Sequence, residues 1–372
     1  MKKISITLTL AFAMILSACA TPAQQSDQHG DNNQTLNEAG APEDITIGLI
    51  VSHGGINDRS FNQASWEGMS AFANSNNLGY AYFTPAEFTD AGYLNAIELA
   101  INAGAQIVIT PGFSFAHAVY QAQDIFPDTM FALFDELPSN PQTWEPRIEN
   151  NTVAVTYAEE QAGFLAGYAV VMEGHRNLGF IGGMSMPPVV RFGHGFILGA
   201  EYAAQSLGLD PGEVNILYHY AMTFDPTPEV QTTAAAWFNS GIEVIFTAAG
   251  GAGSAVMAAA EAQGGFVVGV DSDQSEDSET VITSALKGVS YSVYAVLEGF
   301  VQGNFPGGQN ITFGAETGGV SLPMETSRFQ NFTNDQYLAI FNRIANGELD
   351  ININIDQGVN GLDLYYVTIT TI

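Results

Sequence analysis

Cysteine and basic residues are both scarce in this chain. A single cysteine, Cys19, occurs among 372 residues, so the folded part can hold no intramolecular disulfide, no cysteine-based zinc site and no cysteine nucleophile. Nine Lys and Arg residues stand against 39 Asp and Glu, which gives a formal net charge of -30. This balance disfavours nucleic acid as a partner. It suits a soluble domain in saline or alkaline surroundings, where acidic surfaces stay hydrated.

Motifs of catalysis are also missing. The sequence has no Gly-x-x-x-x-Gly-Lys phosphate loop, no Gly-x-Ser-x-Gly elbow and no His-Glu-x-x-His zinc motif, and its six histidines are scattered singly. These enzyme classes need their residues at those spacings to hold phosphate, present a nucleophile or bind metal. We therefore predict no catalytic residue, no metal site and no cofactor.

The first residues have the pattern of a bacterial export signal. Lys2 and Lys3 give a positive start, and residues 4–16 form an apolar core without a charge, too short for a settled transmembrane helix. The stretch ends in Leu16-Ser17-Ala18-Cys19, which has the form of a lipobox. We predict that residues 1–18 are a signal peptide and that Cys19 carries lipid and anchors the protein to the membrane. The alternative is an ordinary secretory signal with a cysteine at that place by accident.

Residues 19–44 have the composition of a flexible tether. Gln, Asn, Asp, Ala and Gly dominate after Cys19, and a segment with so few large apolar residues cannot bury enough surface to fold. About 330 residues follow, more than one hydrophobic core usually supports. Two lobes are therefore expected.

Apolar runs alternate with helical patterns after the tether. The predicted strands are 45–51, 79–83, 106–110, 130–134, 178–181, 244–246 and 266–270, and the predicted helices are 61–74, 93–102, 160–172, 230–238 and 254–262. This alternation is typical of parallel sheets covered by helices. Ligands of such sheets bind beyond the carboxyl ends of the strands, so functional residues are expected directly after each apolar run.

Two strand ends carry groups suited to ligand binding. In the first, Ser60 and Gln63 have the spacing of a capping box at a helix start, with Asp58 and Phe61 beside them. In the second, Asp271 follows an apolar run, and a carboxylate there can hold sugar hydroxyls. The alternatives are structural, since both aspartates could cap turns and Phe61 could be a core residue.

Six sets of residues occur in one order along the chain. They are residues 58–68, Asp135, Arg191-Phe192 with Gly195-Phe196, residues 249–251, residues 269–274 and Leu286-Lys287. Together they resemble the basic membrane protein family of nucleoside-binding lipoproteins. The likeness runs from about residue 45 to the C-terminus, and the motifs Asp58-x-Ser-Phe61-Asn62-Gln63 and Gly269-Val-Asp271-x-Asp273-Gln274 are specific in combination.

The resemblance implies an α/β architecture, a type I periplasmic-binding-protein fold with two doubly wound parallel-sheet lobes joined by a hinge. The N-terminal lobe would comprise 45–155 plus about 285–325, and the C-terminal lobe 156–284 plus about 326–372. The implied function is to bind a nucleoside, most readily a purine nucleoside, outside the cytoplasm and to deliver it to the permease subunits of an ABC importer.

The resemblance also implies a set of ligand-binding residues: Asp58, Phe61, Asn62, Asp135, Phe224, Gly251, Asp271 and Lys287. Phe61 and Phe224 would stack on the base. Asp58, Asn62 and Asp135 would read its edges, while Asp271 and Lys287 would hold the ribose hydroxyls. A flat apolar base needs ring faces, and a ribose diol needs a carboxylate and a donor.

The sequence departs from the family pattern after Phe224, where Pro226 stands in place of the usual aspartate. Core packing is therefore an alternative for Phe224, and Arg191 fits a structural ion pair and is left out of the site. Lys287 is the lysine that remains after Lys2 and Lys3. The other basic residues of the chain are arginines. A lysine at this one position favours a site that fits a compact ammonium and not the broad guanidinium of arginine. The alternative is a chance surface lysine.

Three other functions stay open on the sequence alone. A nucleoside hydrolase is one, since carboxylates facing a ribose can activate water, but no nucleophile or metal motif supports it. A binding protein of the same fold for a sugar or a signalling molecule is the second, because fold does not fix the ligand. A surface adhesin or immunogen is the third.

Overall fold

The computed structural model describes residues 45–372. The predicted signal peptide at 1–18, the predicted lipidation site Cys19 and the predicted tether at 19–44 lie outside the described residues. Across residues 45–372, no helix has the length and apolar character needed to cross a membrane.

The described chain alternates strands and helices. The strands are β1 (Ile47–Ile50), β2 (Tyr80–Phe83), β3 (Ile107–Pro111), β4 (Met130–Phe134), β5 (Thr152–Tyr157), β6 (Asn177–Gly182), β7 (Val214–Tyr220), β8 (Val244–Ala248), β9 (Phe266–Asp271), β10 (Val281–Lys287), β11 (Gln309–Phe313), β12 (Val320–Ser321) and β13 (Val367–Thr371). The helices are α1 (Phe61–Asn76), α2 (Asp90–Asn102), α3 (Ala116–Ile125), α4 (Glu159–Glu173), α5 (Pro187–Leu207), α6 (Pro228–Asn239), α7 (Gly253–Gln263), α8 (Val289–Val301) and α9 (Asn334–Ala345). Each strand and helix predicted from the sequence is confirmed, with ends that agree to within about three residues.

The first lobe is built on a six-stranded parallel sheet in the order β11-β5-β4-β3-β1-β2. Its strands β1 and β4 are apolar along their whole length because helices cover both faces of the sheet. Helices α1 and α8 pack on one face, where Phe72 and Val293 belong to the same hydrophobic cluster as Leu49. Helices α2 and α3 pack on the other, where Ile97 and Val119 belong to the same cluster as Val108.

The second lobe is built on a seven-stranded sheet in the order β12-β10-β9-β8-β6-β7-β13. Its pairs are parallel apart from β10 with the short β12. Helices α4, α5 and α9 cover one face, and α6 and α7 cover the other. The two-lobed α/β fold with doubly wound parallel sheets, expected from the sequence, is confirmed.

The chain passes between the two sheets after β5, after β10 and after β11. Both β10 and β12 pair within the second sheet. The second segment of the first lobe is therefore shorter than the predicted 285–325 and lies between these two strands. The sequence showed an apolar run at β10 but not its pairing partner, which is why the predicted boundary cut through this strand.

Helices α4 and α5 approach each other very closely. A Cβ added at Gly163 would lie 2.1 Å from the carbonyl oxygen of Phe192, and one at Gly195 would lie 2.1 Å from that of Glu160. These separations exclude any side chain at the two positions. The close approach brings the start of α4 next to Arg191 on α5, beside the functional site described below.

Candidate functional site

A cavity of about 390 Å³ lies between the carboxyl ends of the strands of the two sheets. Its walls come from the segments after β1, β2, β3 and β4 in the first lobe and after β6, β7, β8 and β9 in the second, with Lys287 at the end of β10. The strand order reverses beside β1 in one sheet and beside β6 in the other, and ligands of doubly wound sheets bind at such points. All eight sequence-predicted ligand-binding residues line this cavity: Asp58, Phe61, Asn62, Asp135, Phe224, Gly251, Asp271 and Lys287.

Asp58 caps helix α1. Its carboxylate accepts hydrogen bonds from the backbone N–H groups of Ser60 (2.9 Å), Asn62 (3.0 Å) and Gln63 (3.1 Å). The predicted capping box of Ser60 and Gln63 is therefore wrong, because Asp58 already takes the helix-start donors. The Ser60 hydroxyl is left free and donates instead to Asp271 of the other lobe.

Asn62 is buried and holds the loop after β1. Its side-chain oxygen accepts from the Ser52 N–H (3.0 Å) and hydroxyl (2.8 Å). Its Nδ2 donates to the His53 carbonyl (3.0 Å) and to Asp58 (2.7 Å). The hydrogen bonds of Asn62 and Asp58 are thus made within the loop and the helix start, and the two residues shape the cavity wall in this structure.

Lys287 is surrounded by three carboxylates. Its Nζ lies 2.7 and 2.9 Å from the two oxygens of Asp135, 3.2 Å from Glu159 Oε1 and 3.9 Å from Asp271 Oδ1. The lysine side chain is only 2 % exposed, so a chance surface lysine is ruled out. Its ammonium also lies 4.6 Å from the centre of the Phe61 ring, a distance at which cation and ring attract.

The two cavity aspartates share an unusual backbone conformation. Asp135 has φ 74° and Asp271 has φ 64°, the left-handed region in which residues other than glycine are uncommon. Each stands at the carboxyl end of its strand, Asp135 just after β4 and Asp271 as the last residue of β9. Such conformations persist where the surroundings impose them, and they cluster at functional sites. Here they direct one carboxylate from each lobe toward Lys287.

Glu159 and Arg191 complete this charged cluster, and neither was placed in the site from the sequence. Glu159 begins α4, is fully buried, and accepts from Arg191 Nε at 2.5 Å as well as from Lys287. Arg191 therefore makes the structural ion pair that was expected for it. The sequence places Glu159 directly before a predicted helix. Acidic residues at that position usually lie on the surface and interact with the helix dipole, so the position does not indicate a role in the site.

Burial and charge act in opposite directions on the ionisable groups of the cluster. Burial raises the pKa of Asp135 to about 7, against the pull of Lys287 and with support from the charge of Glu159. Burial also raises the pKa of Asp271. For Glu159 the burial effect is outweighed by Lys287 and Arg191, which hold its pKa below the usual value. Burial opposes the charge on Lys287, but attraction by Asp135, Glu159 and Asp271 raises its pKa overall.

Aromatic rings form the walls beside the charged cluster. Phe61 is half-buried and meets Tyr157 edge to face at 6.5 Å between ring centres. Phe224 lies 6.3 Å from Phe113 of the other lobe, so its ring reaches the cavity despite Pro226. A Cβ at Gly183 would lie 2.3 Å from the Phe224 ring, which shows that the glycine makes room for this side chain.

Asp273 does not reach the cavity. Its carboxylate accepts from the Ser275 N–H (3.0 Å) and from the Thr326 hydroxyl (2.6 Å), so it caps a turn within the second lobe. Among residues 45–372, no three His, Cys, Asp or Glu side chains are grouped as metal ligands.

Contacts across the cleft join the loop after β1 to the loop after β9. Gln274 Nε2 donates to the Arg59 carbonyl (2.9 Å), and Arg59 Nη1 pairs with Asp277 Oδ1 (3.1 Å). The Ser60 hydroxyl donates to Asp271 beside them. The two lobes are therefore closed on each other in this structure.

Several cavity residues were missed by the sequence reasoning. They are mainly aromatic or methionine side chains: His53, Phe88, Tyr93, Phe113, His117, Trp144, Met184, Met186 and Phe192. His53 and Phe113 had a signal, since each closely follows the end of a predicted strand. Most of the others lie on helices and long loops, where an apolar residue in the sequence cannot be distinguished from a core residue.

Comparison with known proteins identifies the family. Residues 45–354 match the family model Bmp, described as PnrA-like ABC transporter substrate-binding proteins. The chain belongs to this family. The resemblance stated from the sequence is thereby confirmed, and the protein is a substrate-binding component of an ABC transporter, a binding protein that takes up a small molecule outside the cytoplasm for permease subunits.

Relatives of this Bmp-family protein cover most of its length. It is 29% identical over 343 residues to the ABC transporter nucleoside-binding protein BmpA of Lactococcus lactis subsp. cremoris, spanning 86% of this chain and 90% of the relative. It is 26% identical over 322 residues to basic membrane protein B of Borreliella burgdorferi, spanning 84% and 89%. The crystal structure of an ABC transporter solute-binding protein from Aeropyrum pernix K1 superposes with a TM-score of 0.65 at 25% identity, over 85% of this chain and 84% of that one. The Bmp-family protein thus has the type I periplasmic-binding fold.

Proposed function

We propose that this Bmp-family protein is a lipid-anchored receptor that closes its two lobes on a purine nucleoside and delivers it to an ABC importer. The observation that carries the proposal is the convergence of Asp135 and Asp271 on Lys287, one carboxylate from each lobe, beside the Phe61 ring. Charged and apolar groups thereby face the same cavity. A nucleoside, which joins a polar sugar to a flat apolar base, matches both.

The ribose would lie at the charged cluster. Asp135 and Asp271 are acceptors, and the vicinal hydroxyls of a ribose can each donate to one of them. Lys287 holds Asp135 by hydrogen bonds and lies 3.9 Å from Asp271, and one of the three N–H groups that it directs at Asp135 and Glu159 would turn to a ribose oxygen. Because Asp135 lies 2.7 Å from Lys287, we assign it to the ribose end of the ligand together with Asp271, and not to the base edge.

The base would lie between the aromatic walls. Phe61 and Phe224 come from opposite lobes and both face the cavity, so a base bound between the closed lobes would have a ring on each side. Gly251 lines the same wall beside Phe224 without a side chain to obstruct it. Asp58 and Asn62 would act mainly by shaping the loop next to the base, since their hydrogen bonds are already made within it.

Mass spectrometry of whatever leaves the purified protein on denaturation tests the ligand class directly. We expect a nucleoside, and we expect that adenosine, guanosine or inosine at 100 times its dissociation constant raises the apparent stability by about 2.7 kcal/mol. Glucose and ribose should not shift the melting temperature. A melting curve that responds to a sugar and to no nucleoside would replace this proposal with the sugar-binding alternative.

The membrane anchor is proposed to be lipid on Cys19. A polar tether gives the domain no other hold on a membrane, so Cys19→Ser should move the protein from the membrane fraction to the soluble fraction. Ser17→Ala, two residues earlier, serves as a matched control and should leave it membrane-bound. Retention of the Cys19→Ser variant in the membrane pellet after a salt wash would contradict the anchor.

A further inference from the structure

The outer end of the cavity holds polar groups that the proposed ribose and base contacts do not use. We call Asp90, Tyr93, His117 and Trp144 the outer subsite. All four belong to the first lobe and line the cavity. They come from three separate elements: the start of α2, the start of α3, and the loop between β4 and β5. The fold therefore brings them together at one end of the cavity.

Asp90 determines which ring nitrogen of His117 carries the hydrogen. Nδ1 of His117 lies 3.0 Å from Oδ2 of Asp90. An ionised carboxylate can only accept a hydrogen bond, so Nδ1 carries the hydrogen and donates it. In the neutral imidazole, Nε2 is then a bare acceptor. Nε2 is buried and has no hydrogen-bond partner within the part of the chain that the structure describes.

The Tyr93 hydroxyl is a second buried polar group at this end. Tyr93 is 2 % exposed, and its hydroxyl makes no well-formed hydrogen bond among residues 45–372. Burial raises its pKa, and the nearby Ser114 side chain opposes that shift. Buried polar groups in proteins are nearly always paired, so the unpaired Nε2 of His117 in this cavity wall points to a ligand partner.

Trp144 covers this end of the cavity from a strained position. Its φ of 61° is in the left-handed region, and its side chain is 67 % exposed. Its ring centre lies 4.4 Å from that of His117, with the two planes at 66°. The loop is fixed behind it, because the Asn140 side chain caps the turn and Arg147 pairs with both Asp124 and Glu149. A strained, exposed tryptophan on an anchored loop is typical of a ligand clamp.

We propose that the outer subsite selects among nucleosides by accepting a hydrogen bond at His117 Nε2 from an amino group of the base. This inference rests on the proposed function and adds a specificity-determining residue to it. A base with an exocyclic amino group supplies the donor that Nε2 lacks. A base without that group leaves the acceptor buried and unpaired, and sites built around such a hydrogen bond discriminate strongly against the analogue that cannot make it. Trp144 covers the contact and excludes water from it.

Matched pairs of nucleosides test the proposal. Adenosine and purine riboside differ by the 6-amino group, and guanosine and inosine differ by the 2-amino group. Calorimetric titration of the full chain should show the amino-bearing member of at least one pair binding about tenfold or more tightly than its partner. His117→Ala should bring that ratio close to one. His219→Ala, on β7 and not among the residues that line the cavity, should leave the ratio unchanged.

Asp90→Asn provides a variant of nearly the same shape. An amide can donate to Nδ1 of His117 as well as accept from it, so the ring hydrogen is no longer held on Nδ1 and the form with Nε2 as a bare acceptor becomes less populated. The ratio within the discriminating pair should therefore fall, although the side-chain volume is retained. A merely structural role of Asp90 would weaken both members of the pair equally and leave their ratio intact.

The outcomes separate this inference from the proposed function. If no nucleoside binds at all, both are overturned. If nucleosides bind but neither pair is discriminated by the wild-type protein, or if His117→Ala keeps the wild-type ratio, the outer subsite is not a base selector while the proposed function stands.

Discussion

Lys287 and Asp135 form a buried ion pair between the two lobes. Nζ lies 2.7 Å from Oδ1 and 2.9 Å from Oδ2, with the two side chains 2 % and 9 % exposed. Lys287 ends β10 in the second sheet, and Asp135 follows β4 in the first. The pair therefore joins the lobes at the base of the cleft, where it also meets Glu159 and Asp271. A ligand at this point would contact groups whose positions depend on both lobes.

Removal of the lysine should destabilise the protein. Lys287→Ala leaves the buried carboxylates of Asp135, Glu159 and Asp271 without their shared cation, and breaking a buried pair in this way costs about 3 to 5 kcal/mol. Urea unfolding should show a lower free energy of unfolding, and nucleoside binding should weaken by about 1.5 to 3 kcal/mol. Arg343→Ala, on the surface of α9, should leave affinity as in the wild type. Unchanged stability and affinity in the Lys287→Ala variant would show that the charged cluster is not part of the ligand-binding site.

The raised pKa of Asp135 predicts a particular pH dependence. Between its ordinary value of about 3.9 and its value in the fold of about 7, the folded chain holds a proton that the unfolded chain has released. The contribution of this group to stability is therefore fully present below about pH 4 and is lost as the pH rises through about 7.

Asp135→Asn should remove that part of the pH dependence. Free energies of unfolding measured from pH 4 to pH 8 should decline less steeply in the variant than in the wild type, whatever its absolute stability. Asp363→Asn, at an exposed position, is the matched control and should follow the wild-type slope. Parallel curves for wild type and Asp135→Asn would show that Asp135 titrates with its ordinary pKa.

The Phe61 ring should contribute to affinity more than to stability. Phe61→Ala removes one stacking face, which typically contributes about 1 to 3 kcal/mol per base. Calorimetry should show the corresponding loss of nucleoside affinity, with a small change in the ligand-free melting temperature. Phe341→Ala, on α9 against the core of the second lobe, should have the opposite profile. If Phe61→Ala lowers the melting temperature strongly and keeps its affinity, Phe61 is a core residue.

Gln274 should control closure of the lobes. Its Nε2 donates to the Arg59 carbonyl across the cleft, while its Oε1 accepts from the Val270 N–H at 3.0 Å. Gln274→Ala should favour the open form and increase the ligand-free radius of gyration in small-angle X-ray scattering. Arg59→Ala should change it less, because the exposed pair with Asp277 contributes at most about 1 kcal/mol. Equal radii for wild type and Gln274→Ala would show that this contact does not hold the lobes closed.

Local patterns in the sequence are enough to predict the secondary structure and the edge of the sheets at which ligands bind. Strands such as β1 and β4 are uniformly apolar, and helices such as α1 carry a 3.6-residue pattern. These signals can be read from the sequence because they depend on neighbours along the chain. Parallel strands end at a common edge, so Asp135 and Asp271 could be predicted to face one cavity from their places after apolar runs. The family motifs added Phe61, Phe224 and Lys287.

The roles of those residues depend on contacts between distant parts of the chain. Ser60 donates to Asp271 across a separation of 211 residues and leaves the capping of α1 to Asp58. Lys287 is buried among carboxylates that lie 152 and 128 residues away, and His117 meets Asp90 and Trp144 from different elements. The physical reason is that burial, pKa and hydrogen-bond partners depend on groups brought together by packing, and the local pattern of a sequence does not specify those contacts.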